Sequence, residues 1–236
     1  LSPIFQEFNL GLVIDDAVDT AQTGSGAEIG AMGRQAQAEA ANTLGETIIG
    51  LFWDITKFFD HIQALPVASA IVQTDTPAAA FWVALRVHAM NRRIKLVSLS
   101  SCISDHARSI VAGCTSAVHL AKCTIAHPVR VAVAAGGDNV RIGMHVDDVN
   151  QIATCHTVAM AIEATIASGD AFIDAVQGLK LAISAKSVIV SSSKRAAIAI
   201  QKYFIHRGVP LKIGKRTEDL GACFHVQNRR ITTTVK

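Results

Sequence analysis

The sequence predicts an α+β fold in which helices pack on one face of a small antiparallel sheet. Half of the residues are hydrophobic, only 17% are charged, and helix-like segments alternate with strand-like segments along the chain. A chain of 236 residues with this composition can bury one core of ordinary size, and its low charge argues against long disorder. The order of strand, helix, strand, helix, hairpin, helix and strand is typical of α+β domains.

Each element has a local signal. The helix-like segments are rich in Ala, Gln and Glu or begin with capping residues, and the strand-like segments are short apolar or β-branched runs. In chain order we predict helix 31–47, strand 50–55, helix 78–90, strand 94–99, helix 113–124, strands 129–134 and 140–146 joined by a hairpin turn at 136–139, strand 149–153, helix 157–176, strands 179–183 and 188–191, helix 194–206, and two short strands around Leu220 and Ile231.

Composition narrows the class of protein. The net charge of +3 is compatible with a nucleic-acid partner but is too small to indicate one. The five cysteines are odd in number and form no CxxC pair, which favours reduced thiols in an intracellular protein. The most apolar stretch, 115–136, is interrupted by charged and histidine residues, so we expect no membrane span.

Two segments place carboxylates at the ends of apolar strands. Asp54 lies at the end of the strand at 50–55, and Asp147 and Asp148 follow the strand at 140–146. Three carboxylates gathered at adjacent strand ends would repel one another, and divalent cations would relieve that repulsion. Mg²⁺ prefers oxygen ligands, and two such ions can clamp the oxygens of an in-line phosphoryl displacement.

An Asp-Asp pair alone is a weak signal, because such pairs are common in turns. The chain carries a second pair, Asp15-Asp16, which no strand-like run frames. The pair at Asp147-Asp148 differs because strand-like runs precede and follow it. It would then occupy a tight hairpin turn, from which both carboxylates can point the same way.

With these residues in place, the chain resembles reverse transcriptases, more closely the non-LTR retrotransposon type than the retroviral type. The segment from Asp54 to Asp60 is similar to the family's first palm motif, an Asp followed by a Phe-Asp pair. Asp54 matches the metal-binding aspartate, and Phe59 matches the bulky residue that blocks a ribose 2′-hydroxyl. The segment from His145 to Asp148 resembles the third motif, in which both aspartates reach the metals.

Three weaker motifs occur in the order that the family has. Segment 108–114 resembles the second motif, which packs on the template and the incoming nucleotide. Segment 178–187 resembles the fourth, whose lysine is a candidate proton donor to the leaving pyrophosphate. Leu220-Gly221 resembles the fifth, a hairpin that grips the primer. The residues that these motifs add are Ala112 and Gly113 for the nucleotide, Lys186 as the proton donor, and Leu220 and Gly221 for the primer.

The resemblance implies a palm with a ferredoxin-like βαββαβ core over 44–192. It also implies an N-terminal extension over 1–43 as a remnant of the fingers, and an end of the palm with primer-grip-like strands over 193–236. The implied cofactors are two Mg²⁺ or Mn²⁺ ions, and the implied partners are an RNA template, a DNA primer and deoxynucleoside triphosphates.

A basic cluster follows the first motif, at the end of the helix over 78–90. It could contact template or primer phosphates, or it could be a solvated helix end with cations near its C-terminus. Its members are Arg86, His88, Arg92, Arg93 and Lys95.

Two other functions stay open. Ala112 stands where the family usually has Gln, His145 replaces an aromatic residue, and the finger strands are not recognisable in 1–45. With Leu1 as the first residue, these departures lead us to expect a truncated element copy, an inactive palm that binds nucleic acid at most. The other function, a metal-dependent phosphohydrolase of unrelated fold, would require a further His or Asp cluster near Asp147.

Overall fold

The computed structural model describes residues 27–73, 78–90, 95–96, 99–100, 109–110, 114, 116–219 and 222–226. Within them the chain forms α-helices and strands in mixed order, so the predicted α+β class is confirmed. The helices are α1 (Ala27–Thr43), α2 (Phe58–His61), α3 (Ala64–Gln73), α4 (Ala78–Ala89), α5 (Ala117–Gly136), α6 (Val158–Gly178) and α7 (Lys194–His206), with a 3-10 helix at Gly137–Asn139. The strands are β1 (Thr47–Trp53), β2 (Lys95–Leu96), β3 (Leu99–Ser100), β4 (Val140–His145), β5 (Asp148–Cys155), β6 (Val188–Ser191), β7 (Lys212–Gly214), β8 (Arg216–Asp219) and β9 (Ala222–His225).

Two compact units make up the chain. The described residues between 57 and 127 belong to one unit, and those of 27–56 and 128–226 belong to the other, which we call the sheet unit. The first unit contains α2, α3, α4 and the short β2–β3 hairpin, with α3 packed on α4. Helix α5 passes from one unit to the other.

No helix among the described residues is long and apolar enough to cross a bilayer.

The sheet unit is built on five strands in the order β4-β5-β1-β6-β7. Strand β1 is antiparallel to both β5 and β6, β4 and β5 form an antiparallel hairpin, and β7 is parallel to β6. The sequence of β1, TIIGLFW, is nearly all apolar because both faces of this central strand are covered. Strands β8 and β9 form a separate antiparallel hairpin.

One face of the sheet, which we call the aromatic face, is closed by α6 and α7. Successive residues of a strand point to opposite faces, so Ile49, Leu51 and Trp53 share this one. The Trp53 ring stacks on Phe172 of α6 at 5.9 Å and meets Phe204 of α7 edge-on at 5.6 Å. These three rings are almost fully buried.

The opposite face, which we call the cleft face, is covered by α1 and the β8–β9 hairpin. Ile48, Ile152 and Val190 of the sheet form one buried cluster with Ala38 and Ala41 of α1, and the same cluster includes Phe224 and Val226. The prediction that helices lie on a single face is therefore wrong for α1. The Ala-rich sequence of α1 indicated a helix, but only the packing of its small side chains decided which face it covers.

Several predicted bounds differ from the structure. The expected strand at 129–134 lies inside α5, which continues through Pro128 to Gly136. Its β-branched residues favoured a strand, but the buried positions follow a helical period, and tertiary burial overrides local propensity. The expected hairpin turn at 136–139 is the end of α5 followed by the 3-10 helix, where Gly137 has a φ of 55°.

Two further predictions were too long. The expected strand at 179–183 is reduced to a single bridge between Ile183 and Ile55. Helix α1 ends at Thr43 rather than at 47, because Gly45 takes a φ of 74° and β1 begins at Thr47. Of the expected strand at 94–99, the described parts are β2 and the first residue of β3. The strand expected around Ile231 lies outside the described residues.

Candidate functional site

Asp54 is the first residue after β1, and its main chain is held on both sides. Its backbone amide donates to the Ser187 hydroxyl at 3.1 Å, and the Ser184 amide donates to its carbonyl at 2.7 Å. Asp54 as a whole residue is half-buried. These bonds fix the backbone of Asp54 against the segment that carries Lys186, although 130 residues of sequence separate the two regions.

Asp147 and Asp148 occupy the hairpin between β4 and β5. His145 pairs with Asp148, so the loop consists of Val146 and Asp147, and the tight turn expected from the sequence is present. Val146 has a φ of 60°, which a β-branched residue rarely adopts. Such a conformation costs on the order of 1–3 kcal/mol, and the surrounding pairing must impose it.

The sheet register brings the two segments together. Trp53 of β1 pairs with Val149 of β5, so Asp54 and Asp148 occupy the adjoining positions on neighbouring strands. Burial raises the pKa of the Asp147 carboxyl, and the negative charge of Asp54 raises it further, whereas its own backbone amide and His145 act in the opposite direction. Asp54 and Asp147 are thus close enough to repel each other.

A cleft of about 190 Å³ opens at this end of the cleft face. Three of the predicted site residues, Asp54, Asp148 and Lys186, contribute to its walls. The other lining residues are Phe52, Trp53, Val149, Asn150, Val188, Thr217 and Glu218. Two strand ends, the segment before β6 and the β8 strand therefore meet at one depression that contains carboxylates and a lysine.

Sequence reasoning missed three polar residues of this cleft. Asn150 lies two positions after Asp148 in β5, and the two-residue period of a strand could have placed both on one face. Thr217 and Glu218 come from β8, and no local signal indicated where this hairpin would dock.

Lys186 is exposed at the rim of the cleft. Its backbone amide donates to the Ser184 hydroxyl at 3.1 Å, within a turn that joins the Ile183 bridge to β6. A lysine so placed can reach an anion in the cleft while its ammonium stays hydrated.

The donor set suits a hard cation by type, since Asp54, Asp147 and Asp148 offer only carboxylate oxygens. The mutual repulsion of Asp54 and Asp147 is the kind of strain that a divalent cation relieves. In the part of the chain that the structure describes, no group of three or more acid, histidine or cysteine side chains is gathered closely enough to hold a metal. The fit therefore rests on the adjacent backbone positions and on the repulsion.

Phe59 lies in the first unit, in α2, with its ring 5.6 Å from that of Phe58. Its carbonyl accepts a hydrogen bond from the Ile110 amide at 2.8 Å, and the Ile62 carbonyl accepts one from Ser109 at 3.0 Å. The structure thus joins the end of the first motif to the described part of the second.

Other predicted residues lie outside the described part of the chain. They are Arg92, Arg93, Ala112, Gly113, Leu220 and Gly221. In sequence, Leu220 and Gly221 connect β8 to β9, whose pairing is described. Of the basic cluster, Arg86 is exposed on α4, but His88 is buried, with its Nε2 atom 3.2 Å from the Ser116 hydroxyl. His88 therefore packs in the first unit and adds nothing to a basic surface.

No protein-family model matches the chain, and no curated protein sequence matches it either.

Proposed function

We propose that the sheet unit is the palm of an RNA-directed DNA polymerase, a reverse transcriptase of a retrotransposon-like element. One observation carries the proposal: the β1–β5 register sets Asp54 beside Asp148, at a cleft, with Asp147 in electrostatic contact with Asp54. Residues so far apart in sequence gain nothing for the fold by placing like charges together. A cation bound by these carboxylates would offset their repulsion and would account for the arrangement.

The topology supports the same proposal. Strands β1, β4, β5 and β6 occur in a βαββαβ order, and they lie side by side as β6-β1-β5-β4 with every pair antiparallel. A ferredoxin-like palm has this order. The β8–β9 hairpin, which contributes Thr217 and Glu218 to the cleft, would correspond to the primer grip.

Asp54, Asp147 and Asp148 are the residues that would hold two Mg²⁺ or Mn²⁺ ions. When bound, such ions would stabilise the charge that develops on the attacking and leaving oxygens of nucleotidyl transfer. The chain's own contribution is to fix the carboxylates: Ser184 and Ser187 hold the backbone of Asp54, and the hairpin pairing holds Asp148.

Lys186 is the proposed proton donor to the leaving pyrophosphate. Its place at the cleft rim allows its ammonium to approach a phosphate oxygen opposite the carboxylates. Phe59 is assigned to sugar selection by the resemblance of its motif. The substrates would be a deoxynucleoside triphosphate and the 3′-hydroxyl of a DNA primer on an RNA template.

Primer extension on an RNA template with Mg²⁺ or Mn²⁺ tests the proposal. Asp147→Asn removes a ligand charge without changing side-chain size, and we expect a loss of more than about a hundredfold in rate, since metal catalysis contributes several kcal/mol and each ~1.4 kcal/mol is tenfold. Asp138→Asn is the matched control, because Asp138 is exposed in the 3-10 helix. Equal activity of wild type and Asp147→Asn would reject the assignment.

The alternative is an inactive palm that binds nucleic acid. It predicts no extension by the wild type, together with RNA binding that weakens as salt rises and is unaffected by Asp54→Ala. A metal-dependent phosphohydrolase of another fold stays a third candidate, and it would require a further His or Asp cluster near Asp147.

A further inference from the structure

Asn150 forms part of the floor of the cleft. It lies in β5, across from Phe52 of β1 and Gly143 of β4, and only 2% of its surface is exposed. Because strand side chains alternate, it projects from the same face as Asp148, one pleat further from the hairpin. It is therefore the polar side chain of β5 nearest to Asp148 on that face.

The carboxamide oxygen of Asn150 is buried and has no hydrogen-bond partner in the described part of the chain. Buried polar atoms are nearly always paired, and an unpaired one destabilises the fold. The terminal torsion of asparagine is broad, so the carboxamide can turn its oxygen toward the cleft. An unpaired buried acceptor at the floor of a cleft is suited to a donor that arrives with a ligand.

Gly143 makes the space that Asn150 uses. A Cβ atom added at Gly143 would lie 2.7 Å from the Asn150 carboxamide oxygen and 2.9 Å from the Arg34 Nη1 atom. The absence of a side chain at position 143 thus leaves room for two polar groups beside the β4–β5 hairpin. Both belong to side chains that can shift, so an alanine at 143 would displace them without blocking the backbone.

We infer that Asn150 is a specificity-determining residue that accepts a hydrogen bond from a sugar hydroxyl of the nucleotide held in the cleft. Phosphate oxygens carry no proton at neutral pH, so a carboxamide oxygen does not pair with them. Donors on the bases differ from one base to another, whereas the sugar hydroxyl is common to all nucleotides. This inference rests on the proposed polymerase function.

The test compares the binding of 2′-deoxynucleoside triphosphates with that of 2′,3′-dideoxynucleoside triphosphates, which lack the 3′-hydroxyl. Equilibrium binding is measured with the full chain on an RNA template and a DNA primer that ends in a dideoxynucleotide, so that no bond can form. We expect the wild type to bind the deoxynucleotide about fivefold more tightly, the contribution of one neutral hydrogen bond. The ratio of the two affinities, deoxynucleotide over dideoxynucleotide, should fall to about one in Asn150→Leu. Asn139→Leu is the control, because Asn139 is exposed in the 3-10 helix.

A second variant and a second readout separate this role from a structural one. Gly143→Ala keeps the carboxamide but displaces it, and it should lower the ratio as Asn150→Leu does. Asn150→Leu removes an unpaired polar atom from the core, so its melting temperature should equal or exceed that of the wild type. A lower melting temperature would mean that the amide is bonded inside the fold and would overturn the inference.

The remaining outcomes are also decisive. A ratio unchanged in both variants overturns the inference and leaves the polymerase assignment intact if the wild type extends primers. An effect confined to one base would overturn it in favour of a contact with the base edge. A wild type that binds neither nucleotide and extends no primer would reject the polymerase assignment itself, and this inference with it.

Discussion

The two faces of the central sheet have opposite characters. On the aromatic face, Trp53, Phe172 and Phe204 fill the space under α6 and α7. On the cleft face, α1 and Phe224 cover Ile48, Ile152 and Val190 but leave the end near Phe52 and Asn150 to line a depression. The proposed site therefore lies on the face that the helices cover incompletely, while the opposite face is closed by packed aromatic rings.

The largest expected effect contrasts two neighbours on β1. Trp53→Ala should lower the free energy of unfolding by about 3–5 kcal/mol, because it empties a closed aromatic cluster. Phe52→Ala should cost at most about 2 kcal/mol, because that ring is half-buried at the cleft and contacts Phe224 on one side. Chemical denaturation of both variants measures the difference. Equal losses would contradict the division into a packed face and a cleft face.

Two glycines contrast a helix position packed on the aromatic face with a helix position that faces solvent. A Cβ atom at Gly169 in α6 would lie 2.5 Å from the Phe204 ring, so Gly169→Ala should destabilise the fold by about 1–3 kcal/mol despite its better helix propensity. Gly33 in α1 has no atom within 4 Å of such a Cβ, so Gly33→Ala should stabilise by about 0.5–1 kcal/mol. Thermal unfolding should show a lower melting temperature for Gly169→Ala and a higher one for Gly33→Ala.

The turn at Val146 tests whether the hairpin beside the cleft carries backbone strain, because Val146 has a φ of 60°. Asparagine tolerates a positive φ far better than a β-branched residue, so Val146→Asn should stabilise the fold by about 1 kcal/mol. The variant changes no carboxylate, and its stability is measured by denaturant unfolding. A loss of stability would show that the Val146 side chain contributes more by packing than its backbone conformation costs.

The smallest expected effect is the pH dependence of stability at Asp147. Burial and then the Asp54 charge raise the pKa of Asp147 above 3.8, so the folded state holds the proton more tightly than the unfolded chain. This contribution to stability is complete below pH 3.8 and is lost as the pH rises through the raised folded value. Asp147→Asn lacks this loss, so its advantage over the wild type should grow from acid to neutral pH.

A second substitution checks the cause of that shift. Asp54→Asn removes the neighbouring charge, so the advantage of Asp147→Asn at neutral pH should be smaller in that background. The free energy of unfolding of the four combinations, measured across pH, gives the coupling between the two residues. Additive effects would mean that the carboxylates do not interact.

Much of the site followed from local patterns. The apolar run before Asp54 predicted β1, and the strand-like runs on either side of Asp147-Asp148 predicted the hairpin. Both predictions were possible because each pattern lies within a few residues of the chain. The strand predicted at 129–134 was wrong because its buried residues, Val129 and Ala132, are three positions apart, as on one face of a helix, and this packing overrides the β-branched composition. The places of Thr217 and Glu218 were not predicted, because a hairpin's docking depends on contacts distant in sequence.

By itself, the sequence determined the α+β class, the periodic elements and the residue types that could bind a cation, because period and composition act over one or two turns of chain. Only the tertiary structure decided that β5 lies beside β1, that Asp54 meets the 146–148 turn, and that α1 covers the second face. The β1–β5 pairing joins segments about a hundred residues apart, and α1 packs with Phe224, which is still more distant in sequence. Burial of apolar surface selects such partners, and no local signal indicates them.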